Sequence, residues 1–167
     1  MTQSWDRIYT PHRLEYLRGA VTSDGCPFCA APKLNGSDAL DLVAHRGQLA
    51  YVVLNLYPYN AGHLLICPYR HVADYTDLTD AERDEISRLT QESMHTLRAI
   101  SGAQGFNLGM NQGSISGAGI AAHLHQHVVP RWGGDANFMP IIGETKVLPQ
   151  LLTQTRDLLQ EGWISSH

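Results

Sequence analysis

The 167-residue chain has only three cysteines, no apolar run of membrane-spanning length and no excess of basic residues. An odd number of cysteines with one CxxC pair does not make a secreted disulfide framework. The segment MTQSWDRIYTPHRLEYL lacks the apolar stretch of a secretory leader, and nothing approaches the ~20 residues of a membrane helix. A net charge of −4 leaves no basic footprint for nucleic acid. An anionic small molecule must therefore be held by local donors. Repeats, low-complexity blocks, a Walker phosphate loop and the dinucleotide-binding glycine fingerprint are all missing. With 43% hydrophobic and 17% charged residues, the expectation is one cytosolic globular domain over 1–167, with no membrane and no nucleic-acid partner.

What the chain does have is a histidine run, HLHQHVVP, with His123, His125 and His127 at alternate positions. The apolar neighbours Leu124, Val128 and Val129 suit a buried strand. Alternate residues of a strand share a face, so three imidazoles would be rooted about 6.6 Å apart on one side, at a rise of roughly 3.3 Å per residue. A single histidine on an apolar strand is ordinarily a hydrogen-bonded core residue. Three in strict alternation after a Gly/Ser-rich loop point to chemistry instead: a metal site completed from elsewhere, or covalent catalysis with one imidazole as nucleophile.

The loop before it, GMNQGSISGAGIAAH, has four glycines and two serines. Such a backbone can aim several N–H groups at one anion, which suggests that a phosphate meets an imidazole here. Arg131 could add a cation, although a lone arginine after a strand is ordinarily solvated.

The remaining pattern predicts an α+β fold with an antiparallel sheet. Pro11 opens a short helix through Leu14 and Leu17. Residues 25–29 form a turn carrying the CxxC, and 32–39 a loop. Strands at 40–44 and 50–55 flank a hairpin at 45–48, residues 57–62 form a turn, and a strand at 63–67 is ended by Pro68. Thr79 and Glu82 have capping-box spacing, Ile86, Leu89, Met94, Leu97 and Ile100 recur at helical steps, and Gly102 stops the helix. Phe106, Leu108 and Met110 alternate with polar or small residues as in a half-buried strand. A last helix over 149–160 would turn Leu151, Leu152, Leu158 and Leu159 inward. The long helix covers one sheet face, leaving the histidines to the other face or one end.

The pair Cys26-Pro27-Phe28-Cys29 allows three readings: a redox motif, a zinc half-site that needs two more ligands, or packed reduced thiols. No strand precedes it and no Thr-Val-Pro segment follows, which disfavours the redox fold. Cys67, inside a strand, reads as core.

His-Leu-His-Gln-His-Val-Val resembles the signature of the histidine-triad (HIT) nucleotide-binding proteins. The upstream NLYPYNAGHLLICPYRH and residues 105–131 resemble two further blocks of that family. The tail from Trp132, with Lys146 and the residues after it, is similar to the branch containing bacterial diadenosine tetraphosphate phosphorylases. The match spans about residues 26–160, with 1–25 as an extension. It implies an α+β HIT-like domain, an antiparallel sheet of about five strands with one long covering helix and a carboxy-terminal helix. It also implies a nucleotidyltransferase or hydrolase acting on dinucleoside polyphosphates, with inorganic phosphate or water as acceptor and no organic cofactor. His125 would be the nucleophile, its ring held by a backbone carbonyl near His123, with His127, His123 and His63 as catalytic partners. Asn111, Gly117, Ala118, Gly119 and His127 would hold phosphate, and Asn55 the ribose. Cys26, Cys29, His71 and His123 would bind a structural zinc. The family pairs as dimers, and some members as tetramers. Two departures stand out: Gln126 replaces a hydrophobic residue, and Gly119 stands where many family hydrolases carry Gln or Ser. The alternative is a nucleotide-binding regulator with weak phosphoramidase or nucleotide hydrolase activity.

Overall fold

The structure is a computed structural model that describes residues 25–34, 41–135 and 150–166. The expected helix after Pro11 and the stretch 136–149 lie outside these residues. The elements in chain order are α1 (Pro27–Ala30), β1 (Val43–Arg46), β2 (Ala50–Leu54), β3 (Leu64–Pro68), α2 (Asp80–Ser101), β4 (Gly105–Met110), β5 (Gln126–Arg131) and α3 (Leu152–Glu161). The strands form one antiparallel sheet in the order β1-β2-β3-β5-β4, so β1 and β4 are its edges. The expected α+β class and strand number stand.

α2 begins as its sequence dictates. The Thr79 hydroxyl accepts from the Glu82 N–H, and the Glu82 carboxylate accepts from the Thr79 N–H, so both ends of the capping box close. Gly102 ends the helix at φ 64°, a left-handed conformation that costs glycine nothing. Ile86, Leu89 and Leu97 are buried on the sheet, each contributing about 1.5–3 kcal/mol. No helix among the described residues is long and apolar enough to cross a membrane.

Several boundaries differ from the pattern. β1 starts at Val43, carries a register irregularity between Val43 and His45, and runs into the expected turn. The turn itself is tied by the buried Glu85 carboxylate, which accepts from the N–H groups of Gln48 and Leu49. Pro68 belongs to β3 rather than ending it. Its carbonyl points to the side where β5 has already stopped at Gln126, so its missing N–H leaves no ladder bond open. On β4 Phe106 and Met110 pack partly buried against the core as expected, while Leu108 between them is 48% exposed. In α3 only Leu159 is fully buried. Leu151 and Leu158 face outward, while Arg156 turns inward to the Asp41 carbonyl. The Asp41 and Val43 carbonyls need donors, and Arg156 and Gln160 supply them.

Candidate active site and metal centre

The histidine run is not one strand. β5 begins at Gln126, and only His127 sits in the ladder, opposite Leu65 on one side and Gly109 on the other. Gln126 faces α2, where its amide donates to the Thr90 hydroxyl at 2.7 Å. This bond accounts for the polar residue between two histidines: it pins the strand to the helix. His127 therefore faces away from α2.

Two hydrogen-bonded pairs, His63 with His127 and His125 with the His123 carbonyl, set the protons of three imidazoles. The Tyr59 N–H donates to His63 Nδ1 at 3.0 Å. A backbone N–H can only donate, so the His63 proton lies on Nε2. That nitrogen is 2.9 Å from His127 Nδ1, which must accept and so keeps its own proton on Nε2. Asn111 Nδ2 lies 3.5 Å from His127 Nε2. His125 Nδ1 is 2.9 Å from the His123 carbonyl and must donate to it, which leaves the lone pair on Nε2. Burial lowers the His125 pKa against the opposing effect of that carbonyl, so the neutral, lone-pair-bearing ring is favoured. The His125 and His127 ring centroids are 5.0 Å apart.

The ring of His123 lies elsewhere, contrary to the single-face expectation. Its Nδ1 is 3.2 Å from Cys26 Sγ and 3.5 Å from Cys29 Sγ, and Cys29 Sγ is 3.3 Å from His71 Nδ1. The ligand atoms of these four residues all lie within 4.8 Å of one another. Donors around a tetrahedral zinc stand about 3.3–3.8 Å apart, from bonds of roughly 2.0–2.3 Å. The His123 Nε2–H donates to the Pro68 carbonyl at 2.9 Å, which turns the Nδ1 lone pair toward the thiols. A backbone carbonyl behind a histidine ligand is the usual outer support of a metal site. Two thiols and two imidazoles are the donor set of a closed zinc centre.

Sequence reasoning missed three residues here. Phe28, between the two cysteines, packs against the His125 ring at 4.9 Å and the His123 ring at 5.6 Å. The Tyr51 hydroxyl donates to the Phe28 carbonyl at 2.6 Å and anchors α1 to β2. Tyr59 lays its ring near-parallel to His127, at 5.7 Å and 20°. Only their closeness in sequence to Cys26, Cys29 and His63 could have marked Phe28 and Tyr59.

Beside His127 is a cleft of about 390 Å³ whose walls include Tyr59, Asn107, Gly109, Asn111, Gly117 and His127. Of the residues expected to hold phosphate, the structure thus brings together Asn111, Gly117 and His127. Ala118 and Gly119 follow in the loop and do not line the cleft. Asn55 is turned to other tasks. Its Oδ1 accepts from the Tyr57 N–H, and its Nδ2 lies 3.3 Å from His63 Nδ1. Arg131 forms a two-bond ion pair with Asp135 and also reaches Asn107, so its charge is already matched. Trp132 Nε1–H donates to the Ser101 carbonyl of its own chain.

An antiparallel five-strand sheet under one long helix, with a histidine run at the start of its last strand, defines a histidine-triad protein. The HIT domain family profile matches residues 39–134, and the chain belongs to that family. It is similar to the AP-4-A phosphorylase of Mycobacterium tuberculosis (strain ATCC 25618 / H37Rv), at 49% identity over 165 residues, covering 94% of this chain and 84% of that protein. Among solved structures, a Zn-bound histidine triad family protein from Mycobacterium smegmatis superposes with a TM-score of 0.65 at 23% identity, covering 83% of this chain and 92% of that one. A histidine triad nucleotide-binding protein from Sulfolobus tokodaii strain7 gives 0.66 at 22% identity, covering 82% and 91%. These two likenesses establish the fold.

Proposed function

We propose that this chain is a nucleotidyltransferase that cleaves dinucleoside polyphosphates through a nucleotidyl-histidine intermediate on His125. The observation that carries it is the bond from His125 Nδ1 to the His123 carbonyl, which leaves the Nε2 of that ring with its lone pair. The similarity to a phosphorylase of diadenosine tetraphosphate supports the substrate class. In the first step Nε2 attacks the α-phosphorus, a P–N bond forms, and the bond to the bridging oxygen breaks. The Nε2–H of His127 points where the leaving oxygen and the phosphate oxygens need a donor. Asn111 and the Gly117 backbone assist it, with Ala118 and Gly119 completing the phosphate loop, while Asn55 and His63 hold His127 in register. In the second step an oxygen of inorganic phosphate attacks the same phosphorus, the P–N bond breaks, and His125 is regenerated. Diadenosine tetraphosphate then yields ATP and ADP, whereas water as acceptor yields ATP and AMP. Product analysis with and without phosphate tests this. ADP formed only with phosphate is expected, and no turnover of the dinucleotide under either condition would overturn it.

Cys26, Cys29, His71 and His123 fit a structural zinc, whose part would be to clamp α1 against the start of the histidine run. The open β4 edge, with Leu108 exposed beside it, supports self-association into a dimer, since edge strands must be covered or paired. Light scattering at micromolar concentration should give at least twice the 18.5 kDa chain mass. A clean monomer would reject the dimer.

A further inference from the structure

The turn between β2 and β3 carries two of the groups that set His127, the Tyr59 N–H and the His63 ring. The ladder between β3 and β5 runs from Ile66–Gln126 to Leu64–Val128. Beyond that pair the turn is joined to β5 through a side chain, that of Asn60. An asparagine in a turn ordinarily bonds its own backbone two residues on. Here Nδ2 donates instead to the Pro130 carbonyl, 70 residues away, and to Asp135 Oδ2, 75 residues away, each at 2.9 Å. Both amide hydrogens are thereby engaged. The Asn60 carbonyl accepts from the His63 N–H at 3.1 Å. Asn60 thus touches His63 through its backbone and, through its side chain, the strand that carries His127.

Asp135 is placed to keep that grip. Its carboxylate accepts two bonds from Arg131, at 2.7 and 2.8 Å, and one from the Trp132 N–H at 3.1 Å, besides the bond from Asn60. The Arg131 guanidinium holds the carboxyl well below the usual carboxylate range, so the acceptor stays ionised. Arg131 reaches on to Asn107 of β4, and the Trp132 indole to the Ser101 carbonyl at the end of α2. The carboxylate is therefore fixed from β4, β5 and α2 before it meets the turn. Beneath the turn, Gly62 adopts φ 70°, and a Cβ there would stand 3.1 Å from Leu97 Cδ2. The turn is pressed close against α2 as well as tied to β5.

We propose that Asn60, gripped by Asp135, is a positioning residue for nucleotidyl transfer. It fixes the turn so that His63 meets His127 Nδ1 and the His127 donor stays at the leaving oxygen. The proposal rests on transfer at His125 and adds the residues that align it.

Asn60→Ala should lower kcat for diadenosine tetraphosphate about tenfold, the scale of one lost hydrogen bond, with KM little changed. Asp135→Ala removes the same grip from the other end. It should act likewise, and it carries the test if Asn60→Ala does not fold. A purely structural role would lower Tm and leave the kcat of folded protein unchanged, and that result in both variants would overturn the proposal. In a His63→Ala background, Asn60→Ala should have no further effect on kcat, because the group it places is gone. A second loss of the same size there would also overturn it. A readout without turnover is the His63 Nε2 proton, followed by NMR and identified by its loss in His63→Ala. It should exchange faster with water in Asn60→Ala, and an unchanged signal would count as refutation. Wild-type protein that cleaves no dinucleotide would instead reject the transfer reading, while the NMR comparison decides separately whether Asn60 places His63.

Discussion

Replacing His63 by alanine tests the hydrogen bond that holds His127. His63 is fully buried, accepts from the Tyr59 N–H at 3.0 Å and holds His127 Nδ1 at 2.9 Å. Without it, the partly buried Tyr59 N–H and His127 Nδ1 lose this partner, and His127 can shift its proton to Nδ1. Its Nε2 would then offer a lone pair where the reaction needs a donor. A lost hydrogen bond costs about 0.5–1.5 kcal/mol and a buried polar group left unsatisfied about 1–3 kcal/mol. Taken together, about 2–4 kcal/mol would be withheld from the transition state, or roughly a 30- to 900-fold loss in kcat/KM at 1.36 kcal/mol per tenfold. His63→Gln should recover part of this, because its amide oxygen can accept from Tyr59 while its NH2 group donates to His127. The assay is steady-state cleavage of diadenosine tetraphosphate beside a melting curve, so that unfolding is separated from chemistry. A folded His63→Ala protein within threefold of wild type would refute the reasoning. So would a Gln variant no better than Ala.

His125→Ala should lower turnover on the order of 10⁴-fold or more while nucleotide binding, followed by calorimetry, is largely kept; near-normal turnover would move the nucleophile elsewhere. Cys26→Ser should reduce zinc, measured by elemental analysis, to near zero and lower Tm by about 8–16 °C, from roughly 4 kcal/mol of linkage and 2–4 °C per kcal/mol. A metal-free wild-type protein of unchanged Tm would count against the centre. Acid should erode the Arg70–Glu82 pair. The two-bond hydrogen bond from Arg70 brings the Glu82 carboxyl down to about 2, below its ordinary 4.5. A depressed carboxylate pKa contributes stability that is complete above pH 4.5 and is lost as pH falls toward 2. The Tm gap between wild type and Arg70→Ala should therefore be full at pH 6 and close near pH 2; a gap independent of pH would contradict the assignment.

Where local chemistry alone decides an element, the chain could be read directly. Thr79, Glu82 and Gly102 bound α2 because caps act within a few residues, and the 3.6-residue stripe from Ile86 to Leu97 is the face it buries. Where a distant partner decides, the pattern misled. Leu108 alternates like a core residue, but β4 is an edge strand and its side chain meets solvent. Leu158 looks inward by composition, yet α3 docks through Leu159 and Arg156, because bare carbonyls of the 41–43 segment need donors there. Neither the edge position nor the waiting carbonyls can be seen from residues nearby in sequence.

The same distinction runs through the site. The alternation of His123, His125 and His127 was visible, and it predicted one shared face. The ladder of β5 begins only at Gln126, and His123 before it is drawn to cysteines 94 and 97 residues away. Its ring and its carbonyl then serve two different tasks. The ring joins Cys26, Cys29 and His71, while the carbonyl fixes the proton on His125 Nδ1. Phe28 repeats the arrangement from the other side. It stands between the two thiols of the Cys/His cluster, and its ring rests on both His123 and His125. A shift of α1 would thus move the aromatic wall of His125 and the histidine whose carbonyl orients it. The Cys/His cluster and the triad are two layers of one structure, joined at His123, and a change in the cysteines should be felt at His125 before it is felt in the sheet.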